Sequence, residues 1–189
     1  MEDKMIRFNK SMAAILAFLV IAIPGMLWAS NFSADITAHA IISNPDTQEA
    51  PRALLMFNLP DDFAGKSITS AKLIVPLSFS VADSDLANLA IWPIGTTWSP
   101  DNVSWASPWN QAGGDVADSS YILYPTNDPS SRLVEIDISG IATAWAQEWY
   151  PNKGLMLMLL QASRQTFQIN QNENWDSGVI ARVEISYEE

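Results

Sequence analysis

Short apolar segments in which every second residue is hydrophobic recur along this chain, with turn-forming residues between them. The longest is Ile68–Ser80, where Leu73, Val75, Leu77 and Phe79 alternate with the residues between them. Alternation of this kind is the pattern of a β-strand that buries one face. Because many short strands with frequent turns are typical of two packed sheets, the sequence predicts an all-β fold, an antiparallel β-sandwich with jelly-roll-like connections.

The other apolar segments extend this prediction along the chain. Leu155–Leu160 is apolar throughout, which indicates a strand covered on both faces or one too short for its period to classify. Pro76 has no N–H to donate, so we expect it at a sheet edge or a bulge. The remaining predicted strands are Ile36–Ile42, Arg52–Leu59, Leu89–Ile94, Tyr121–Tyr124, Leu133–Ile138, Thr166–Asn170 and Val179–Tyr187.

One segment has a helical period instead. Ile141, Trp145 and Trp149 are spaced four residues apart, which places them in one stripe along a helix. Ser139 stands before this stripe as a candidate N-cap, and the turn residues Pro151–Gly154 follow it. The sequence therefore predicts one short helix near residues 140–150.

The N-terminal segment has the composition of an export signal. Three basic residues in the first ten positions precede the uncharged run Ser11–Ser30, which ends in small residues. We expect residues 1–30 to be a signal peptide cleaved near Ala29. The alternative is a retained membrane anchor, because the run approaches the length that spans a bilayer. Both interpretations place the domain, residues 31–189, outside the cytoplasm, secreted or on the cell surface.

Composition excludes several classes of protein. The chain has 10 Lys and Arg against 21 Asp and Glu, a net charge of -11, so it lacks the cations to bind nucleic acid. The absence of cysteine excludes disulfides, thiol catalysis and thiolate metal sites. The single histidine, His39, excludes a multi-histidine metal centre within one chain, and no nucleophile-elbow motif accompanies it. No spacing selects a pair of catalytic carboxylates, so we expect no enzymatic activity and assign no catalytic residue.

Aspartates in the predicted loops supply oxygen atoms that a calcium ion could use. They are Asp83, Asp85, Asp101, Asp115 and Asp118. No twelve-residue calcium loop is present, and ordinary solvation of loop carboxylates is the alternative. A structural calcium ion is therefore open at this point, and the sequence predicts no other cofactor.

Several motifs occur in a fixed order across most of the chain. They are Arg52–Leu59 followed by Ile68–Leu73, Trp98 followed by Asn102–Trp105, Val134–Ser139 running to Trp145, Asn152–Leu155, and Val183–Tyr187. In this order they resemble the DNRLRE domain, also classed as carbohydrate-binding module family 96. The resemblance implies an extracellular jelly-roll sandwich that serves as an accessory, polysaccharide-binding module. It also implies that Trp98, Trp105 and Trp145 are fixed points of the fold.

Tryptophans outside these motifs are the candidate ligand contacts. An exposed indole can cover the apolar C–H face of a sugar ring while neighbouring polar groups bind its hydroxyls. Trp109, Trp149 and Trp175 lie beside polar loops, and ordinary partial burial is the alternative for each. Gln168 and Asn170 share one face of a predicted strand and could bind hydroxyls, with a solvated surface as the alternative.

These observations predict a secreted or cell-surface, non-catalytic β-sandwich that binds carbohydrate. The acidic charge favours a neutral or basic glycan and disfavours uronate polymers unless calcium bridges them. The alternative is a structural subunit of an extracellular surface layer, filament or matrix, because sheet edges can accept a strand from a neighbour. Self-association belongs to that alternative, and a membrane is a partner only if the N-terminal segment is retained.

Overall fold

The structure is a computed structural model that describes residues 29–47, 49, 51–79, 88–125, 133–160, 167–169 and 181–188. Nine strands and one helix lie within these residues. The strands are β1 (Ala29–Ile42), β2 (Arg52–Phe57), β3 (Ser67–Phe79), β4 (Asn88–Pro93), β5 (Ile122–Pro125), β6 (Leu133–Asp137), β7 (Leu155–Leu160), β8 (Phe167–Ile169) and β9 (Arg182–Glu188), and the helix is α1 (Ser139–Ala146). No helix in this part of the chain is long and apolar enough to cross a bilayer.

The strands form two antiparallel sheets that share β1. One sheet has the order β1-β9-β3-β6, with β8 added to the end of β3, and the other has the order β5-β4-β7-β2-β1. The first half of β1 pairs with β9 and its second half pairs with β2, with a register shift between Ile36 and Ala38. A bulge there lets one long strand bend from one sheet into the other. The predicted all-β antiparallel fold is confirmed, whereas its jelly-roll-like connections stay a prediction.

The main hydrophobic core lies between the two sheets. Alternate residues of each strand point inward, which is why the period of two in the sequence identified these strands. Helix α1 adds Ile141 and Trp145 to this core, as their spacing predicted. The strands contribute, among others, Leu55 and Phe57, Leu73 and Val75, Leu89 and Ile91, Val134 and Ile136, Leu155 and Leu157, and Val183 and Ile185.

A second, smaller core covers the outer face of the sheet that contains β7. It includes Leu54 and Met156 from the sheet, with Ile94, Trp98 and Trp109 from the segment that follows β4. Residues of β7 therefore contact apolar groups on both faces, which explains why Leu155–Leu160 is apolar throughout. Of the two interpretations that the sequence left open, cover on both faces holds for the start of the strand. Met156 is buried in the second core, while Met158 and Leu160 on the same face are half-buried.

The sheets do not join between β5 and β6. These two strands are the first and last members of the pairing order, and the described residues contain no ladder between them. Helix α1 follows β6 directly, so it begins at this seam. Backbone and side chains at the seam are consequently available to line a cleft.

Three elements differ from their sequence-based predictions. Strand β1 begins at Ala29 rather than Ile36, because residues 29–35 pair with β9. Helix α1 ends at Ala146, so Trp149 is not on its apolar stripe. The predicted N-cap, Ser139, is the first residue of the helix, and Asp137 accepts its N–H at 2.9 Å.

Pro76 lies where β3 leaves its main partners. It pairs with Leu133 of β6, while the ladder between β3 and β9 ends two residues earlier, at Ile74 and Arg182. The missing N–H therefore falls beyond the fully paired part of the strand, in keeping with the expectation from the sequence.

Candidate functional site

A cleft of about 350 Å³ lies at the seam between the two sheets. This volume falls within the range of about 300–1,000 Å³ that small-ligand sites occupy. The residues that line it come from four segments: the end of β4, the start of β5 with the turn before it, the junction of β6 with α1, and the turn after α1. They are Pro93, Asp118, Ser120, Tyr121, Ile122, Asp137, Ser139, Gly140, Ile141, Ala144, Trp149 and Tyr150.

Three aromatic side chains give the cleft its largest apolar surfaces. Trp149 is 72% exposed, Tyr121 is 47% exposed and Tyr150 is half-buried. The ring of Tyr121 packs on Trp92 of β4, with 5.0 Å between their centroids and 42° between their planes. An exposed tryptophan in a cleft is unusual for a residue of this size, since most tryptophans bury most of their surface. The indole of Trp149 is therefore available to a ligand.

The way α1 ends determines the position of Trp149. The N–H of Glu148 donates to the carbonyl of Trp145 at 3.1 Å, and the N–H of Trp149 donates to that of Ala144 at 3.0 Å. With the φ of +55° at Glu148, this pair of bonds is a Schellman motif, which reverses the chain at the end of a helix. The reversal turns Trp149 away from the core stripe and onto the cleft.

Polar groups on the opposite side of the cleft come from the start of α1. Asp137 Oδ1 accepts hydrogen bonds from the N–H and the hydroxyl of Ser139, at 2.9 and 2.6 Å. The Ser139 hydroxyl oxygen in turn accepts the N–H of Ala71 from β3, at 2.9 Å. These bonds, together with the charge of Lys72, lower the pKa of Asp137 below its ordinary value. The carboxylate is thereby held in place and ionised.

A second carboxylate reaches the cleft from the turn before β5. Asp118 Oδ1 accepts the N–H of Ser120 at 2.9 Å. Burial raises the pKa of the Tyr150 hydroxyl, and the negative charge of Asp118 raises it further. The phenol of Tyr150 therefore stays protonated and can donate a hydrogen bond, while the two aspartates accept.

Of the three candidate tryptophans, Trp109 is not an exposed platform. It is 8% exposed, and its indole N–H donates to the Ser104 carbonyl at 2.8 Å. The segment after β4 folds over the outer face of the sheet, and Trp109 is part of the second core there. The expectation of an accessible indole is therefore wrong at this position.

The other candidates have mixed outcomes. Trp149 lies in the cleft, as described above. Gln168 lies in β8, where its backbone is opposite Ser78 of β3. Trp175 and Asn170 lie outside the described residues.

The tryptophans of the recurring motifs are structural. Trp98 and Trp145 are buried, and the indole N–H of Trp98 donates to the Lys153 carbonyl at 2.9 Å. Trp105 is half-buried beneath the guanidinium of Arg52, which lies 4.6 Å from its ring centroid in a cation–π contact. These positions match the structural role that the resemblance implied for all three.

The carboxylate oxygens of one loop aspartate, Asp115, already accept hydrogen bonds from the protein. Asp115 accepts hydrogen bonds from the Thr96 hydroxyl at 2.6 Å, from the N–H and side-chain amide of Asn110 at 2.8 and 2.9 Å, and from the N–H of Gln111 at 2.9 Å. In the described part of the chain, no group of three or more acidic or histidine side chains could hold a metal ion. Asp83 and Asp85 lie outside the described residues.

Comparison with other proteins does not assign a family. No known protein family matches the chain, and a search of characterised proteins found no significant similarity. The resemblance to the DNRLRE domain thus stays a prediction, and the cleft has to be interpreted from its own chemistry.

Sequence reasoning missed most of this cleft. Tyr121, Tyr150 and Asp137 were assigned to no ligand site and Asp118 was considered only for calcium. These residues lie in separate segments that only the fold brings together. One usable signal was the aromatic pair formed by Trp149 and Tyr150 directly after a helix.

Proposed function

We propose that this protein is a non-catalytic carbohydrate-binding module of the extracellular or cell-surface type, and that the seam cleft is its glycan site. The observation that carries the proposal is the exposed indole of Trp149 in a cleft that also holds polar groups. Sugars present flat C–H faces and a rim of hydroxyls. An aromatic ring with nearby hydrogen-bonding groups is complementary to both.

The arrangement of polar groups supports binding. The Asp118 and Asp137 carboxylates accept hydrogen bonds from sugar hydroxyls, and the Tyr150 phenol and the Ser120 hydroxyl can donate them. Tyr121 is held against Trp92 before any ligand arrives, which reduces the entropy lost on binding. The predicted resemblance to polysaccharide-binding modules points to the same activity.

The test is isothermal titration or affinity electrophoresis of the purified protein against a panel of soluble neutral and basic glycans. We expect a member of the panel to bind, and Trp149→Ala to weaken that binding by at least about tenfold, the loss typical of a central aromatic contact. Because Trp149 is largely exposed, its replacement should leave the melting temperature nearly unchanged.

The matched control is Ile41→Ala, which removes an exposed apolar side chain of β1 that does not line the cleft. This variant should bind as the wild type does. Absence of binding to every glycan, or equal affinity of the wild type and Trp149→Ala, would contradict the proposal. The alternative role as a structural subunit stays a prediction from the sequence.

A further inference from the structure

The charge of the cleft narrows the kind of glycan it would accept. Its two carboxylates, Asp118 and Asp137, are both exposed to solvent, and among the described residues that line it there is no lysine, arginine or histidine. The charge of Lys72 acts on Asp137, and the Lys72 ammonium is 3.1 Å from a carboxylate oxygen of Glu135. The described lining of the cleft therefore has two acidic side chains and no basic one, within a protein whose formal charge is -11.

Each of these carboxylates has an oxygen left for a ligand. The hydrogen bonds from Ser139 use Oδ1 of Asp137, and the one from Ser120 uses Oδ1 of Asp118. Within the described residues, Oδ2 of either aspartate accepts no hydrogen bond. The hydrogen bonds to Oδ1 hold each carboxylate in place. Oδ2 can then accept a hydrogen bond from an ammonium group.

The aromatic rings add a second preference for positive charge. The face of a tryptophan or tyrosine ring carries negative electrostatic potential and attracts cations, and Trp149, Tyr121 and Tyr150 line the same cleft as the carboxylates. The carboxylates alone would not define a site. The exposed indole supplies the stacking surface, and together the groups suit a sugar ring that carries an amine.

We infer that the cleft selects glycans with free amino groups, such as β-1,4-linked glucosamine, over their neutral N-acetylated counterparts. This inference rests on the proposed function. Acetylation converts the ammonium group into a neutral amide, so the ion pair with Asp118 or Asp137 is lost. Uronates and sulfated sugars would be repelled by the same carboxylates.

The experiment compares two probes of equal length, a glucosamine oligomer and its fully N-acetylated form, at a mildly acidic pH at which the amine is protonated. We expect the wild type to bind the free amine form about fivefold more tightly or better, as a partly exposed ion pair allows. Asp118→Asn and Asp137→Asn should each reduce this ratio, and added salt should reduce it as well.

The matched control is Asp35→Asn, which removes the same charge from an exposed position on β1 outside the cleft. The asparagine variants keep an acceptor oxygen for Ser120 and Ser139, and their melting temperatures report whether the fold is intact. If Asp137→Asn unfolds, Asp118→Asn carries the test alone, since its only partner in the described residues is a local N–H.

The outcomes separate this inference from the proposed function. Equal or tighter binding of the acetylated oligomer, or a ratio that neither aspartate variant changes, overturns the preference for amino groups. If a neutral glycan still binds in that case and Trp149→Ala weakens it, the proposed function stands. If no glycan binds at all, both are overturned.

Discussion

At the scale of single residues, Gly154 has the closest surroundings of the glycines that the structure describes. Its φ is +94°, and a Cβ atom there would lie 2.1 Å from the carbonyl oxygen of Leu55. The neighbouring Asn152 fixes the same turn, because its side chain donates to the Phe57 carbonyl at 2.8 Å and accepts the N–H of Gly154 at 3.0 Å. The turn before β7 is thus built against the backbone of β2.

Gly154→Ala should destabilise the protein by more than about 3 kcal/mol, because both the left-handed backbone and the contact with Leu55 oppose a side chain. Thermal or urea unfolding followed by circular dichroism measures the change. Two glycines provide a graded comparison. Gly65 has a φ of +80° and open space around it, so Gly65→Ala should lower the free energy of unfolding by about 1 kcal/mol. Gly140 has open space in helix α1, so Gly140→Ala should not lower it. Equal effects at Gly154 and Gly65 would show that the close contact has no role.

The sequence identified Gly154 only as a turn residue. Its φ and its approach to Leu55 depend on how β2 and β7 pair, and no local pattern encodes that. The same holds for Trp109 and Trp149. Both stand beside polar loops in the sequence. Trp109 is buried where the segment after β4 packs on the sheet, whereas the end of α1 turns Trp149 outward.

At the scale of elements, the end of α1 contains a local conflict. Glu148 occupies the left-handed position of the Schellman motif, where glycine is the usual residue. Among the described residues it is the only one other than glycine with a positive φ. The left-handed conformation costs about 1–2 kcal/mol for a residue with a side chain. The motif therefore forms although Glu148 disfavours this conformation.

Glu148→Gly should therefore raise the free energy of unfolding by about 0.5–1 kcal/mol, after allowance for the greater flexibility of glycine in the unfolded chain. Chemical denaturation measures this difference. Glu148→Ala is the control, because it removes the charge but keeps a Cβ in the left-handed conformation. If alanine stabilises as much as glycine does, the strain argument fails and the effect belongs to the carboxylate.

The elements also show where sequence patterns were sufficient. Strands with a face in a core were found from alternating or continuous apolar residues, with the continuous run Leu155–Leu160 correct at both ends. The first half of β1 was missed because only Phe32 of its inward-facing residues is large and apolar, whereas Ser30 and Ala34 are small. That half is a strand because it pairs with β9, which is distant in sequence, and no local pattern reveals such a partner.

At the scale of the whole molecule, two aspartates link stability to pH. Burial of Asp115 opposes its ionisation, but hydrogen bonds from Asn110, Thr96 and Gln111 outweigh this and lower its pKa. The bonds from Ser139 lower the pKa of Asp137 in the same way. A carboxylate whose pKa is lower in the folded state stabilises the protein above its unfolded pKa of about 3.9. That contribution is lost as the pH falls through the lower, folded value.

We expect the wild type to be more stable than Asp115→Asn at neutral pH, with the difference in melting temperature shrinking as the pH falls below about 4. Asp137→Asn should behave alike. Comparing variant with wild type at each pH removes the general effect of protonating an acidic surface. Asp101→Asn is the control, since that aspartate lies in an exposed turn of the same segment. A difference for Asp115→Asn that stays constant from pH 7 to acid would contradict the linkage.

The position of β9 has a consequence for the order in which the molecule can assemble. Strand β9 lies between β1 and β3 in the sheet, although it follows both of them in sequence. These two strands therefore cannot join in one sheet until residues 182–188 are present. The pairing of Ala29 with Glu188 joins two nearly opposite ends of the described chain. Contacts so distant in sequence make folding slow. A chain that lacks residues 182–188 therefore cannot complete this sheet, whatever the state of the strands before them.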